Sequence, residues 1–195
     1  MELRQDRTPL IFINHIFQEY KNSESNIFLE FSFYRSGGEG ITLSREVFRL
    51  KLDEGIFQKI SDIKSSLLPG VEFAIHSVLT IGRQRKYLPF VDFATQNWEI
   101  LNTQLNEKIY SYLKSRLFLF STGRSFHCYA LRELSYAEWT RFLGFLLLLN
   151  GRGLYLENVD SRWVGHSLEQ GYGSLRLSSN TSEYLKEPEL LMIRK

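Results

Sequence analysis

Three short stretches carry residue types that can do chemistry on a charged ligand. The first is Phe90-Val91-Asp92-Phe93-Ala94, an acid inside an apolar run. The second is Phe118-Leu119-Phe120-Ser121-Thr122-Gly123-Arg124-Ser125-Phe126-His127-Cys128-Tyr129-Ala130, where a guanidinium and several hydroxyls sit between two apolar runs and a histidine follows at once. The third is Asn158-Val159-Asp160, with Arg176-Leu177-Ser178 beginning sixteen residues after the acid. A carboxylate in an apolar setting is costly to bury unless it is paired or bound to a cation. A turn holding a guanidinium, hydroxyls and free backbone N–H groups suits a phosphate. Two such acids around such a turn have the parts to hold a divalent metal against a triphosphate. Taken singly, each piece has a plainer reading. A strand-end Asp is a cap or a salt-bridge partner, and a strand His is a satisfied core or surface side chain. The order and spacing of all three point to a shared pocket.

The elements that must position these residues follow from periodicity. Leu10 to Tyr20 reads as a helix, and Ile27 to Tyr34 as a strand by its aromatic alternation. Gly37-Gly38-Glu39-Gly40 makes a turn, and Ile41 to Leu52 returns as a second strand of a hairpin. Asp53 opens a helix with Ile56, Ile60 and Ile63 on one stripe, ended by Pro69-Gly70. Two strands follow, Val71–Ile81 and Tyr87–Ala94, joined by Gly82-Arg83-Gln84-Arg85-Lys86. That basic connection is read as a solvated loop or as a phosphate-backbone contact. Asn97 caps a helix carrying Trp98, Leu101, Leu105, Ile109 and Tyr112. The Phe118–Ala130 stretch is strand, turn, strand, with Phe126, Cys128 and Ala130 on one face and His127 and Tyr129 on the other. Ser135-x-x-Glu138 is a capping box opening a helix apolar nearly all round, hence expected to be buried, which Asn150-Gly151 terminates. Leu154 to Asp160, Trp163 to His166 and Gly171 to Ser178 read as short strands and polar turns, and His166 is a turn histidine or a further lining of the pocket.

Bulk properties narrow the class. A chain of 195 residues builds one domain, or two small lobes sharing a core. Its single cysteine, Cys128, excludes an internal disulfide and a cysteine zinc site, and as a small side chain on the strand after the turn it is read as structural rather than nucleophilic. A net charge of +2 implies no general polyanion surface, so any such surface must be local. The charged start and the lack of an apolar run near the ~20 residues of a membrane span predict a soluble, cytoplasmic protein with no membrane partner.

The order of the three stretches resembles the archaeo-eukaryotic primase superfamily, the primase small subunits and primase-polymerases, over roughly residues 70–180. That family has an Asp-x-Asp motif at a strand end, a Ser-x-x-x-x-His hairpin motif, and an apolar-Asp motif with an Arg-Leu-Pro-Gly-Ser-like sequel. Asp92 matches the first acid. Ser121, Gly123, Arg124 and His127 match the hairpin, while Asp160 and Arg176-Leu177-Ser178 match the third motif and its sequel. Helices at about 97–115 and 135–150 fall where that fold would want them. The resemblance implies an α+β primase-like core: a single domain over 1–195, with an N-terminal α/β lobe at 1–70 and an RRM-like mixed or antiparallel sheet flanked by helices at 71–195. It implies a nucleotidyltransferase of DNA replication or repair. Asp92 and Asp160 would be catalytic and hold Mg2+ or Mn2+, and Ser121, Gly123, Arg124, His127 and Arg176 would bind a nucleoside triphosphate. A single-stranded DNA or RNA template and a second protein subunit are the implied partners.

The chain also departs from the pattern. Ala94 stands where the family has its second aspartate, so two of three carboxylates are present, and neither Glu99 nor Glu157 is placed to substitute. Ser178-Ser179-Asn180 replaces the Pro-Gly-Ser sequel. Two other readings therefore stand beside the enzyme. One is a catalytically inactive primase-like module that binds nucleotide or nucleic acid, and the other is a scaffold in which both acids are ordinary hydrogen-bonded side chains.

Overall fold

The computed structural model describes residues 7–35, 45–151 and 158–195. The expected Gly37–Gly40 turn, residues 41–44 of the expected second strand, and residues 154–157 lie outside them. The elements run α1 (Leu10–Tyr20), β1 (Ile27–Arg35), β2 (Arg45–Lys51), α2 (Ile56–Ser65), β3 (Val71–Ile81), β4 (Gln84–Tyr87) and β5 (Phe90–Phe93). A helical stretch follows as α3 (Trp98–Thr103), a π-helical segment Gln104–Ile109 and α4 (Tyr110–Leu113). Then come β6 (Leu117–Ser121), β7 (Phe126–Ala130), α5 (Tyr136–Leu147), α6 (Ser161–Gln170), β8 (Ser174–Arg176) and β9 (Glu189–Arg194). The fold is α+β with two antiparallel sheets and flanking helices. One sheet has the order β2-β1-β3-β4, with β8 also pairing β3, and the other has the order β5-β7-β6-β9.

Proline divides what the sequence presents as one strand from Tyr87 to Ala94. Tyr87 ends β4 in the first sheet, Phe90 opens β5 in the second, and Leu88-Pro89 carries the chain across. Pro89 has no N–H to extend the ladder, but its carbonyl accepts from Ala130 N at 2.9 Å and so already belongs to the second sheet. The basic connection is also shorter than the sequence reading. Gly82-Arg83 alone makes the turn, with Gly82 at φ 59°, and Gln84, Arg85 and Lys86 are strand residues paired with β3.

Alternation along the strands gives the second sheet two apolar faces. Val91, Phe93, Leu119 and Cys128 pack against Leu101, Leu105 and Ile109 and against Trp139, Phe142, Leu143 and Leu146 of α5. Phe90, Phe118, Phe120 and Tyr129 face the other way, onto Phe12 of α1 and onto Leu29, Phe31, Phe73 and Ile75 of the first sheet. The two sheets thus share one core, and the first sheet takes strands from both sides of residue 70.

Three expectations change in the structure. Helix α5 is not buried all round: its capping box forms and one stripe is buried, while Tyr136 and, just past its end, Leu148 are exposed. Trp163 to His166 are helical, since Asp160 caps α6 by accepting Trp163 N–H at 2.9 Å. Strand β9, which the sequence reading lacked, pairs with β6 and completes the second sheet. Among the described residues no helix is long and apolar enough to cross a membrane.

Candidate functional site

Register brings Asp92 and His127 together. They are direct partners in the β5–β7 ladder, on the face that also carries Phe90 and Tyr129. That face is apolar along most of its length and turns polar only at this end, where a cavity opens. His127 Nε2 lies 3.7 Å from Asp92 Oδ1, too far for a hydrogen bond. Among the described residues nothing donates a hydrogen bond to the Asp92 carboxylate, and His127 Nδ1 is buried without a partner. Burial, then the charge of Asp160, push the Asp92 pKa up to about 8, with Arg176 opposing. Burial, then Arg176, hold His127 well below its ordinary value. Near neutral pH both groups are therefore mainly uncharged, and the pair is not an ion pair.

Asp160 is delivered by a short connection rather than a full strand. Val159 bridges Phe93 in antiparallel fashion, and Asp160 N donates to Asp92 O at 3.0 Å. Asn150, read from sequence as a helix terminator, fixes this connection. Its Oδ1 accepts from Asn158 N at 2.8 Å and Val159 N at 2.9 Å, and its Nδ2 donates to Val159 O at 3.0 Å. Asp160 spends one oxygen on the α6 cap. It lines the cavity beside Asp92, at the positive end of a helix dipole. Ala94 sits one residue past β5, exposed, with its N–H on Asn158 O at 3.1 Å.

Arg176 is buried and braced. Nη1 donates to Ser178 O and to Lys186 O, each at 2.8 Å, and Nη2 donates to Thr122 O at 3.0 Å. Its guanidinium stacks 4.3 Å over the Tyr184 ring. One side chain thus ties β8, the 178–186 segment and the motif hairpin together while presenting its charge to Asp92. The segment is pinned from beneath by Glu72, which is buried and accepts from the Ser178 hydroxyl and from Asn180 N (2.7 Å).

The hairpin turn is more self-contained than its sequence suggests. Gly123 N donates to Ser121 Oγ at 3.4 Å, and Ser125 N to Thr122 Oγ1 at 3.1 Å, so two of its amides already have partners. Gly123 has φ +95°, and a Cβ there would meet Leu185 Cβ at 2.9 Å. Arg124, Thr122, Ser125 and His127 line the cavity, whereas Ser121 and Gly123 shape the turn behind it.

The cavity measures about 610 Å³. Asp92, Asp160, Arg124, His127 and Arg176 all line it, as do the sequence-noted His166 and the neighbouring Trp163. Sequence reasoning missed its opposite wall: Tyr34, Arg35 and Arg45 from the first sheet, Tyr172, and Glu183 to Leu185. Arg45 is placed there by its pairing with Tyr34 in the β1–β2 hairpin; the hairpin is expected from sequence, but the register that puts Arg45 opposite Tyr34 is not. Five arginines, the other being Arg162, face three acids, so the lining favours an anionic ligand.

Comparison with curated proteins and with solved structures finds no match. Comparison with protein families finds one, described as AEP-like, archaeo-eukaryotic primase 1D-like, over residues 57–189. The matched stretch runs from α2 to the start of β9 and takes in both acids, the hairpin and Arg176. The chain therefore belongs to the archaeo-eukaryotic primase 1D-like family.

Proposed function

We propose that the protein is a primase/polymerase-like nucleotidyltransferase. It takes a nucleoside triphosphate in the cavity, and one divalent ion, Mg2+ or Mn2+, is shared by Asp92, Asp160 and the substrate phosphates. The observation that carries this reading is the side-by-side placement of Asp92 and Asp160 facing an arginine-rich wall. The donor set fits a hard cation. Among the described residues Asp92 has a carboxylate with no hydrogen-bond donor, and Asp160 keeps one oxygen beyond its cap. Among the described residues no group of three His, Cys, Asp or Glu forms a metal cluster, so Asp92 and Asp160 would be the protein's ligands in this reading. When bound, such an ion neutralises phosphate charge and polarises the phosphoryl oxygen.

The chain's own residues do the positioning. Arg176, already rigid, sets a fixed positive charge at the floor. Arg124 reaches the phosphates from the turn that Ser121 and Gly123 hold in shape. Neutral His127, whose Nε2 lies 3.7 Å from Asp92 Oδ1, donates a hydrogen bond from that nitrogen to a phosphate oxygen. The RRM-like reading of the motif-bearing lobe is supported by helices stacked on one face of the β5-β7-β6-β9 sheet. The single-domain reading over 1–195 is supported by the shared core, with β3, β4 and β8 joining the N-terminal sheet. A DNA or RNA template strand and a second subunit complete the reading.

Ala94 favours a second reading, a nucleotide-binding module that does not transfer phosphate. One pair of measurements separates the two: binding of ATP and dNTPs with Mg2+ or Mn2+, and nucleotide incorporation, in wild type and Asp92→Asn. The enzyme reading expects metal-dependent binding and incorporation, both lost in Asp92→Asn. Binding without incorporation selects the module, and absence of triphosphate binding in the wild type overturns both.

A further inference from the structure

We infer that Arg45, on the first-sheet wall of the cavity, is a second phosphate seat, distinct from that at Asp92 and Asp160, and takes a phosphodiester of a nucleic-acid strand. The inference deepens the nucleotide-site reading and rests on it for the identity of the ligand.

Among the described residues Arg45 is a cation without a counter-charge. Its guanidinium lies 4.4 Å over the Tyr34 ring, and Nη1 donates to Ser32 Oγ at 3.2 Å. Its Nε is buried without a hydrogen-bond partner. Among the described residues no carboxylate comes within ion-pair distance of it, and the acidic groups it feels are the hydroxyls of Tyr34, Tyr172 and Tyr184. A desolvated guanidinium among neutral neighbours is unfavourable, and an anion entering the cavity removes that cost.

Its position is nevertheless tightly specified. Ser32 Oγ is bonded to His76 Nε2 at 2.9 Å, and His76 stacks on Tyr172 with ring centroids 4.0 Å apart and planes 12° from parallel. The nearby buried acid, Glu30, is engaged by Arg49 at 2.8 Å. Buried polar groups that fix a cation while leaving it uncompensated are the mark of a binding group rather than a structural one.

Two features separate this seat from the acid pair and identify the ligand. The Tyr34 and Tyr184 hydroxyls meet at 3.3 Å, and each ring carries its own arginine, Arg45 on one and Arg176 on the other. The two guanidiniums thus stack on different rings of one tyrosine pair. Beyond Arg45, Arg49 and Lys51 recur on the same face of β2 and are exposed; Arg49 shares the single acid Glu30 with Arg85, so a surplus of cations leads from the cavity outward along one strand. A continuing row suits a chain of phosphates, where a lone second nucleotide needs a single seat.

The test compares labelled single-stranded decathymidylate, read by anisotropy over a salt series, with MgATP, read by calorimetry. Wild type, Arg45→Met and Asp92→Asn are measured. Arg45→Met should weaken decathymidylate binding at least tenfold more than it weakens MgATP, and reduce the salt slope by about 0.7. Asp92→Asn should reverse that order. Its unliganded thermal midpoint should be no lower than wild type for Arg45→Met, because no ion pair is broken. Equal losses for both ligands, unchanged decathymidylate binding, or a large fall in the Arg45→Met midpoint would each overturn the seat. Arg45-dependent decathymidylate binding in a protein that does not bind MgATP would leave the seat standing and remove the nucleotide reading instead. Tighter dependence on Arg45 for free dTTP than for decathymidylate would reject the strand as the source.

Discussion

Asp160 donates its backbone N–H to the backbone carbonyl of Asp92, at 3.0 Å. Two acids separated by 68 positions in the chain are thereby neighbours by main-chain pairing, independent of any side-chain interaction. The carboxylates are held near one another by the main chain although like charges repel, and the raised pKa of Asp92 reflects its burial first and the Asp160 charge second.

That shift makes Asp92 a destabilising group at neutral pH. Its folded pKa of about 8 exceeds the ordinary 3.8, so the folded state keeps a proton that the unfolded state has lost. The associated stability is complete below about pH 4 and disappears as pH rises through about 8. Asp92→Asn should therefore raise the metal-free thermal midpoint at pH 8 by about 2–4 °C per kcal/mol gained, and by less at pH 5. Calorimetric scans at the two pH values check the difference.

Metal affinity should follow the same proton. A divalent ion needs the Asp92 carboxylate ionised, so binding below about pH 8 releases a proton. Apparent Mn2+ affinity should rise roughly tenfold per pH unit between pH 6 and 8 and level off above that. Titration of Mn2+ in buffers of differing ionisation enthalpy measures both the affinity and the proton.

Ala94→Asp should strengthen the site. Residue 94 is exposed, and its backbone is tied to the same Asn158 connection that delivers Asp160. A carboxylate added there, on the Asp92 side of the strand end, should raise Mn2+ affinity and, under the enzyme reading, incorporation. Unchanged Mn2+ binding in a folded Ala94→Asp protein would place residue 94 outside the site.

Gly123→Ala should deform the hairpin turn. The residue has φ +95°, and the new Cβ would lie 2.9 Å from Leu185 Cβ. A cost of about 1–3 kcal/mol is expected, read as a lower thermal midpoint, with Leu185 displaced at the cavity rim.

Arg176→Met should be the most damaging single change. It leaves the carbonyls of Thr122, Ser178 and Lys186 without their donor. The loss should be about 3–5 kcal/mol. Arg176 also holds the Asp92 pKa down, so its removal should push the midpoint of Mn2+ binding to higher pH.

Most strands and helices were legible because local pattern fixes them. Aromatic alternation marked β1, apolar runs around turns marked β3, β6 and β7, and the Asn97 and Ser135 caps marked where helices begin. The misreadings have different causes. Pro89 moves the chain from one sheet to the other, which depends on strand partners far away in sequence, whereas Asp160 caps a helix through the Trp163 N–H three residues on, a local signal that the strand-and-turn reading passed over. Of the site, the motif residues were visible, but their division of labour was not. Ser121 serves the turn, and Arg176 braces three segments while facing Asp92.

The sequence by itself determined which residues are present to bind an anion and a cation, and that one carboxylate of the family pattern is an alanine. It determined the hairpin, because turn chemistry and strand alternation are properties of neighbours in the chain. Tertiary structure alone decides that Asp92 and Asp160 are main-chain neighbours, that His127 is neutral beside Asp92, and that Arg45 lines the same cavity. Those facts arise from strand register and burial, which are set by packing among distant segments, and desolvation exists only once the surrounding core has closed.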